Sequence, residues 1–574
     1  MASRYFRVKT SFVVTVDRWQ IYAVTPGGLI DNNNEQTMSA DTLRPQMNWA
    51  ELMRHNDQTY GEKPWLIYYA EDGSRMNWSY SVFIDVSRRL ARLLQQHGAG
   101  RGTRVVIASH NHPDTILGYF ACWMLGACAV PLNMTEDDQR LAYILANCDA
   151  SLVLCRSCYA ERIGMALQGA SLPVIEMDSD SADPQFYAAV RACEPLDYPG
   201  ADDDMLEQEC LLVYTSGTTG NPKGVVLVQR NLFADGRDIT HWHGITPDTR
   251  MMCVLPVHHV NGTIVTHVTP FIAGSSVVLQ RKFSPRTFFS TIAQEQVSIV
   301  SVVPTLLAFL LEANADATDA RQAGLRHIIC GAGPLTCELA DRFESAYGIR
   351  VLHGYGLSET TCYSCFLPVD LSDEEHRHWM QDYGFPSIGV AIPCNEMAIH
   401  DATGRDVADG ERGEIVIRGR NVMRGYDKNE RANAEAFAFG WFRSGDEGFR
   451  IADQLGRYFY FITGRLKELI IRGGVNLAPL EIDEVINRAP GVKAGICVGF
   501  ENNMYGEEVG ALVIRTDESV SQEQILNFCA EHLPASKRPK VVIFTEALPV
   551  TSTGKYQRNS VKHLFAQWKD AQWR

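Results

Sequence analysis

The chain has 574 residues, of which 45% are hydrophobic, and it contains 45 glycines and 24 prolines. This length and composition exclude a single small module and a disordered polymer, and they indicate two or more folding units with buried cores. The 53 basic and 68 acidic residues give a formal net charge of −15, which is unsuited to coating nucleic acid or anionic lipid. Any anionic ligand must therefore be bound by a locally positive region of the protein. We expect no nucleic-acid partner.

Cysteine usage and the absence of a recognisable secretory signal indicate a cytoplasmic protein. The 15 cysteines are scattered through apolar runs such as Ala121-Cys122-Trp123, where they act as small buried hydrophobes. The longest uncharged stretch, residues 115–133, only reaches the minimum length of a membrane span. Its glycines and Pro131 fit a buried helix running into a strand better, so we expect no transmembrane segment.

The hydrophobic pattern predicts an α/β fold. Short apolar runs such as residues 105–108 and 327–330 are each followed by a helical pattern, which indicates a mostly parallel sheet covered by helices. Around residues 411–420 the apolar positions alternate with period two, which predicts a small antiparallel β-barrel.

Three segments follow from these patterns. Residues 1–46 show no clear period, so we expect a poorly ordered N-terminal extension. Residues 47–465 form the predicted large domain with helix-covered sheets. Residues 466–574 are rich in charge and have strands of their own, which predicts a small α+β C-terminal domain.

A glycine-rich and hydroxyl-rich loop follows the apolar run that ends at Tyr214. Its glycines allow an anion to approach the backbone, its hydroxyls donate hydrogen bonds, and its lysine adds a positive charge. The spacing Gly217-x-x-Gly220-x-x-Lys223 differs from the Walker pattern, and a plain surface loop would not need this set of groups. The predicted phosphate-binding residues are Thr215, Ser216, Gly217, Thr218, Thr219, Gly220 and Lys223.

The stretch from Tyr214 to Gly224 resembles the signature of the adenylate-forming superfamily, in its branch of AMP-forming acyl-CoA synthetases. The segment at 353–361 likewise resembles that family's Y-G-x-[ST]-E-[ST] motif. The resemblance implies that Tyr355 stacks on adenine and that Glu359, with Thr215, holds Mg²⁺ near the phosphates. It also places these residues at the nucleotide: Gly331, Ala332, Gly333, Gly354, Gly356 and Thr360.

Two further motifs extend the resemblance towards the C-terminal domain. Ser444-Gly445-Asp446 resembles the family's T-G-D segment, which implies that Asp446 accepts hydrogen bonds from the ribose hydroxyls. In the segment at 464–468, the match implies that Arg465 contacts the ribose and phosphates and that Lys467 is the hinge about which the C-terminal domain turns.

The C-terminal domain carries the last two motifs. The loop with Gly473 and Gly474 resembles the one that lines a pantetheine tunnel for CoA. The segment at 549–556 resembles the catalytic-lysine motif, which implies that Lys555 reaches the reacting phosphate.

The acid is expected to bind beside the segment at 255–262, which resembles the family's acyl-pocket motif. A histidine, His259, stands at the gate position where amino-acid adenylating domains usually carry an acidic residue, so an α-amino acid is disfavoured. The predicted substrate pocket comprises His259, Val260, Asn261, Val303 and Gly331.

The resemblance implies an acid–CoA ligase that forms acyl-AMP and pyrophosphate from a carboxylic acid and ATP, and then an acyl-CoA. Lys223, Lys555 and Glu359 are the predicted catalytic residues, because cations and Mg²⁺ must offset the charge that develops on the phosphates. Two alternatives remain open: an enzyme that loads the acyl group onto the phosphopantetheine of a separate carrier protein, and an adenylate-binding protein without catalysis. A homodimer also remains open.

Overall fold

The computed structural model describes residues 47–181, 184–200, 203–215, 221–550 and 556–573, together with four residues of a short N-terminal hairpin. By its internal contacts the chain divides into two units, Met1–Thr42 and Leu43–Arg574. In the first unit, strands β1 (Val16–Asp17) and β2 (Gln20–Ile21) pair antiparallel. The rest of the predicted N-terminal extension lies outside the described residues.

The second unit contains most of the secondary structure. Its strands, in chain order, are β3 (Pro64–Tyr69), β4 (Arg75–Ser79), β5 (Arg104–Ser109), β6 (Cys128–Asn133), β7 (Ala150–Arg156), β8 (Val174–Met177), β9 (Glu209–Thr215), β10 (Lys223–Val228), β11 (Arg250–Cys253), β12 (Ser276–Gln280), β13 (Ile299–Val302), β14 (His327–Cys330), β15 (Arg350–Tyr355), β16 (Cys365–Phe366), β17 (Val390–Ala391), β18 (Asn395–His400), β19 (Gly413–Gly419), β20 (Gly425–Tyr426), β21 (Phe442–Ala452), β22 (Tyr458–Arg465), β23 (Ile470–Arg472), β24 (Val475–Leu477), β25 (Val492–Asn502), β26 (Gly506–Arg515) and β27 (Val541–Phe544).

The α-helices cover the sheets. In chain order they are α1 (Trp49–Tyr60), α2 (Tyr80–Gln96), α3 (Pro113–Leu125), α4 (Asp138–Asn147), α5 (Ala160–Ala166), α6 (Gln185–Ala192), α7 (Gln229–Trp242), α8 (Thr269–Ile272), α9 (Phe288–Glu295), α10 (Pro304–Glu312), α11 (Thr318–Gln322), α12 (Cys337–Tyr347), α13 (Asp373–Gln381), α14 (Glu430–Ala436), α15 (Pro479–Arg488) and α16 (Gln522–His532). A π-helix spans Asn261–Val268, and 3₁₀ helices span Ser157–Tyr159, Asp203–Glu207, Ser358–Thr360, Ala438–Gly440, Leu466–Glu468 and Arg558–Trp568.

Two mostly parallel sheets form the large part of the fold, as the sequence predicts. One has seven strands in the order β20-β10-β9-β6-β5-β7-β8, and the other has nine in the order β17-β16-β15-β14-β13-β11-β12-β3-β4. Their central strands are buried apolar runs, which is typical of sheets covered on both faces. Parallel strands end at the same edge of a sheet, so the residues that follow β14 and β15 lie close together.

The uncharged stretch at 115–133 forms the buried helix and strand that the sequence predicts. It comprises most of α3, whose side chains are almost all buried, followed by β6. The indole of Trp123 on α3 lies 4.6 Å from that of Trp49 on α1, centroid to centroid, within a large aromatic core. No helix among the described residues is long and apolar enough to cross a membrane.

The segment predicted to belong to a small antiparallel barrel lies in an antiparallel sheet of strand order β18-β19-β21-β22. The outer edge of β22 is occupied by a different neighbour, because Gly389 beside β17 forms a bridge with Tyr460. The Tyr460 N–H donates to the Gly389 carbonyl over 2.9 Å. The outer edge of this sheet is therefore joined to the nine-stranded sheet.

The C-terminal part has its own sheet, in the order β24-β23-β26-β25 with β27 alongside β26. Helices α15 and α16 contribute apolar side chains such as Ile482 and Ile525 to a separate core. This small α+β arrangement, next to a large part with parallel sheets, agrees with the predicted fold class.

Candidate active site

A cleft of about 1420 Å³ lies where the ends of the parallel strands meet the antiparallel sheet and residues from the C-terminal sheet region. Residues of α15 and the segment at 556–560 form part of its wall. The cleft brings together most of the predicted site residues that the structure describes, namely Thr215, Lys223, His259, Ala332, Gly333, Gly354, Tyr355, Gly356, Glu359, Asp446, Arg465 and Lys467.

Other predicted residues lie elsewhere or are outside the described residues. Described, but not among the residues that line the cleft, are Val260, Asn261, Val303, Gly331, Thr360, Gly473 and Gly474. The predictions for Ser216, Gly217, Thr218, Thr219, Gly220 and Lys555 fall outside the described residues.

A tyrosine, a carboxylate and a guanidinium meet on one wall of the cleft. The Tyr355 hydroxyl donates to Asp446 Oδ2 over 2.6 Å, and Arg465 Nε lies 3.0 Å from Asp446 Oδ1. Burial and the adjacent Asp446 raise the pKa of Tyr355 well above its ordinary value, so Tyr355 stays a neutral donor. Asp446 Oδ1 is buried and has no well-aligned hydrogen-bond donor among the described residues, so it retains the capacity to accept from a hydroxyl.

The turn before Asp446 explains how this carboxylate is positioned. Gly445 has a φ of +74°, although a Cβ would have open space there. A glycine is therefore favoured at this position by its backbone conformation and not by lack of space. The Glu414 carboxylate accepts from the Gly445 N–H over 2.9 Å and pairs with Arg443. The Ser444 hydroxyl accepts from the Asp446 N–H, so the hydroxyl that this position shares with threonine fixes the turn.

A second cluster, of a lysine, a tyrosine and a glutamate, lies on another wall. Lys223 Nζ lies 4.6 Å from the centre of the Tyr426 ring, and the Tyr426 hydroxyl donates to Glu359 Oε1 over 2.8 Å. Strand pairing creates this arrangement, because Val225 of β10 is opposite Tyr426 of β20. Burial and the Glu359 carboxylate raise the pKa of Tyr426, which keeps its proton for this hydrogen bond.

The groups in this second cluster suit a magnesium ion that is bound jointly with phosphates. The described residues include no group of three or more His, Cys, Asp or Glu side chains able to hold a metal. Glu359 supplies a single carboxylate, and the Thr215 hydroxyl nearby on the cleft wall donates to the Lys223 carbonyl over 3.4 Å. Mg²⁺ is commonly bound through one or two carboxylates together with phosphate and water, so this set of donors fits it.

Thr360 does not line the cleft but stabilises the turn before it. It is fully buried, and its hydroxyl accepts from the Leu357 N–H over 3.0 Å. This contact closes the short 3₁₀ turn that carries Glu359.

Tyr363 fills the space beside Gly331, next to the cleft-lining residue Ala332. A Cβ added to Gly331 would lie 2.6 Å from the Tyr363 hydroxyl, and Tyr363 is 1% exposed. The Tyr363 hydroxyl accepts from Asn261 Nδ2 over 3.2 Å, and the Ser301 hydroxyl donates to Asn261 Oδ1 over 2.8 Å. This set of Tyr363, Asn261 and Ser301, called the polar plug below, contacts Gly331, and two of the predicted pocket residues, Asn261 and Gly331, are therefore buried in it.

Two histidines, His258 and His259, lie just before the π-helix that begins at Asn261. The rings of His258 and His259 are 4.3 Å apart, and both line the cleft. Burial, and to a lesser extent His259, lower the pKa of His258 well below its ordinary value, so His258 is neutral. Neither histidine offers a negative charge to a substrate ammonium, and the exclusion of an α-amino acid stays a prediction.

Two residues that flank one of the predicted C-terminal loops lie on the cleft wall. Val550 and Tyr556, on either side of the undescribed segment at 551–555, both line the cleft and pair with each other. Arg558 is held by Asp483 and donates to the Cys497 carbonyl over 2.9 Å, which anchors this side of the segment.

The other loop, with Gly473 and Gly474, connects β23 to β24 away from the cleft wall. Both glycines have positive φ, of +58° and +82°, as a two-residue type I′ hairpin turn requires.

Sequence reasoning missed Tyr426, Glu414 and Tyr363. Tyr426 and Glu414 lie outside the motifs and reach the cleft through sheet pairing. A signal did exist for Tyr363, which is a large aromatic residue four positions after Glu359.

Comparison with known proteins agrees with this geometry. A family model described as AMP-binding enzyme matches residues 53–427, and one described as AMP-binding enzyme C-terminal domain matches residues 481–555. The chain is 36% identical to the sulfoacetate–CoA ligase of Cupriavidus necator, over 82% of this chain and 89% of the relative. It is 32% identical to a feruloyl-CoA synthase of an Amycolatopsis species, over 84% of this chain and 94% of the relative.

A solved structure has the same fold. ATP-bound MatB from Rhodopseudomonas palustris superimposes with a TM-score of 0.80 and 26% identity, covering 90% of this chain and 99% of that chain. The chain therefore belongs to the AMP-binding enzyme family, in the acyl-CoA synthetase branch of the adenylate-forming superfamily, whose CoA ligases use ATP, Mg²⁺ and CoA.

Proposed function

We propose that this chain couples a compact carboxylic acid to CoA in two steps within the cleft. In the first step a carboxylate oxygen attacks the α-phosphorus of ATP, the bond to the β-phosphate oxygen breaks, and acyl-AMP and pyrophosphate form. In the second step the CoA sulfur attacks the acyl carbonyl carbon, the thiol proton is lost, and AMP leaves. The convergence of Asp446, Tyr355, Lys223 and Glu359 on one cleft is the observation that supports this proposal.

Asp446 would accept hydrogen bonds from the ribose hydroxyls, because its Oδ1 keeps an unused acceptor position at the cleft wall. Arg465 lies beside Asp446 and would turn part of its guanidinium to the ribose or phosphates when the nucleotide binds. Tyr355 would contact the adenine ring from the end of β15. Ala332, Gly333, Gly354 and Gly356 would form the backbone surface around the base.

Lys223 and Glu359 would act on the phosphates from the opposite wall. Glu359 would hold Mg²⁺, and Lys223 would place a positive charge near the oxygens that become more negative during displacement. Mg²⁺, when bound, supplies charge neutralisation to the phosphate oxygens. The hydrogen bond from Tyr426 orients Glu359, as outer partners of metal-binding carboxylates commonly do.

The C-terminal domain, residues 466–574, would serve the two steps in two orientations about Lys467. In the orientation seen here, the residues flanking 551–555 line the cleft, which suits a role of Lys555 in the first step. Gly473 and Gly474 lie elsewhere in this orientation, and a turn of the domain would bring them to the cleft for the CoA step.

The acid would be compact because the polar plug closes the cleft at Gly331. A long or bulky acyl chain would need the space that Tyr363 fills. Neutral His258, which lines the cleft, offers a hydrogen-bonding group to a polar acid. Two relatives are named for compact acids, as sulfoacetate–CoA ligase and oxalate–CoA ligase, and others for larger acids, as feruloyl-CoA synthase.

A reducing compartment suits the cysteines of this chain. All fifteen cysteines are free thiols, and nearly all are buried. We therefore place the protein in the cytoplasm.

The test is AMP formation from ATP with a panel of short polar, aryl and long-chain acids, with free CoA or a phosphopantetheine-bearing carrier protein as acceptor. We expect AMP release that depends on both a compact acid and free CoA. If only the carrier protein supported activity, it would replace CoA as the proposed acceptor. The absence of acid-dependent pyrophosphate release with every acid would overturn the proposed function.

A further inference from the structure

A buried glutamate of the C-terminal part caps a helix of the large part. Glu484 on α15 accepts from the Cys337 N–H over 3.2 Å and from the Glu338 N–H over 3.4 Å, at the first turn of α12. Glu484 is only 8% exposed. The first N–H groups of a helix have no partner within the helix, and here a residue 147 positions away satisfies two of them. Thr336 satisfies a third, from Leu339.

This contact lies on the wall of the cleft, because Glu484 and Glu338 are both among the residues that line it. Helix α12 follows the segment with Ala332 and Gly333, which lines the cleft. Glu484 lies in the range that matches the C-terminal family model. The contact therefore exists only while α15 packs on α12, which is the orientation in which Tyr556 lines the cleft.

The other polar contacts across this boundary are more exposed. Lys493 pairs with Glu312 over 2.6 Å, with side chains 52% and 58% exposed. Arg412 Nη2 lies 3.4 Å from Glu481 Oε2, and these side chains are 39% and 27% exposed, so solvent screens this pair as well. A buried carboxylate at a helix N-terminus is more sensitive to its geometry, because hydrogen bonding and the helix dipole both act on it.

We propose that Glu484 is a positioning residue that holds the C-terminal domain in the orientation for acyl-AMP formation by capping α12. This inference rests on the proposed two-step function. When the domain turns for the CoA step, the Cys337 and Glu338 amides would exchange the carboxylate for water, and Glu484 would become solvated.

The environment of Glu484 keeps this contact reversible. Burial raises the pKa of Glu484 to about 7, and the like charge of Glu338 on α12 acts in the same direction. The two backbone N–H groups and Arg488 on α15 act in the opposite direction. The Cys337 thiol also faces the carboxylate, and burial keeps it protonated because its pKa is raised to about 12. A carboxylate with this desolvation cost can leave the interface, as a domain that alternates between two orientations requires.

The test compares Glu484→Ala and Glu484→Gln with Glu531→Gln, a control at an exposed position on α16. The first step is followed by ATP–pyrophosphate exchange, and the second by thioester formation from a synthetic acyl-adenylate. We expect Glu484→Ala to slow exchange by about tenfold, because both backbone hydrogen bonds to the Glu484 side chain are lost, and to leave thioester formation near the wild-type rate. Glu484→Gln retains an acceptor oxygen and should stay within about threefold of wild type in both steps.

A second readout does not depend on activity. The loss of the cap should make the hinge turn at 466–468 cleave faster with trypsin at Lys467, by about tenfold in Glu484→Ala and not in Glu531→Gln. Equal loss of both half-reactions in Glu484→Ala, or unchanged exchange and cleavage, would overturn this inference. A wild-type chain without acid-dependent exchange would instead overturn the proposed function, while the trypsin comparison still decides the role of Glu484.

Discussion

Replacing Tyr426 by phenylalanine tests the phosphate end of the cleft. The change removes the hydroxyl that donates to Glu359 Oε1 over 2.8 Å, while it keeps the ring 4.6 Å from Lys223 Nζ. A hydrogen bond to a charged group contributes about 1.5–3 kcal/mol, and each 1.36 kcal/mol of barrier is a tenfold change in rate. We therefore expect acyl-AMP formation to slow by about 10- to 100-fold, with a higher Mg²⁺ requirement because Glu359 loses its orienting partner.

The assay is ATP–pyrophosphate exchange at a series of Mg²⁺ concentrations, alongside thioester formation from a synthetic acyl-adenylate. Tyr458→Phe is the matched control, because its ring also faces a cation, Arg450, over 4.6 Å, and it lies outside the cleft. The control should keep wild-type exchange. If Tyr426→Phe left exchange unchanged, or slowed thioester formation equally, Glu359 would not depend on this hydrogen bond and the reasoning would fail.

Further predictions concern the catalytic lysine, the polar plug and the effect of pH. Lys555→Ala should slow pyrophosphate exchange by orders of magnitude and largely spare thioester formation from acyl-adenylate; equal loss of both would contradict the role of this lysine. Tyr363→Val should open space beside Gly331 and raise kcat/KM for bulkier acids relative to compact ones, measured as AMP formation; an unchanged ranking of acids would refute the plug. The pKa of Glu484 is about 7 in this orientation, above its ordinary value of 4.5, so the contact is complete below pH 4.5 and weakens as pH rises towards 7. The exchange rate relative to the thioester rate should therefore fall over that window in wild type and stay level in Glu484→Gln, and parallel profiles would contradict the assignment.

Local sequence patterns were sufficient to predict much of the fold and several site residues. The predicted strand at 327–330 coincides with β14, and the helical pattern after it corresponds to α12, because an apolar run, the Thr336 cap and Gly348 are all local signals. Tyr355, Glu359 and Asp446 were predicted from motifs a few residues long, and the structure brings them to one cleft. Such motifs are informative because a turn that presents a group to a ligand is built from adjacent residues.

The tertiary structure decided the contacts between residues far apart in the chain. Tyr426 lies beside Lys223 because β10 pairs with β20, and Glu484 reaches α12 because α15 packs against it. The bridge between Gly389, beside β17, and Tyr460 of β22 joins two sheets, which the alternation at 411–420 could not indicate. The depth of the acid pocket likewise depends on where Tyr363 packs. Hydrophobic periodicity determines which face of a strand or helix is buried, but the neighbour that covers it is selected by packing over the whole fold.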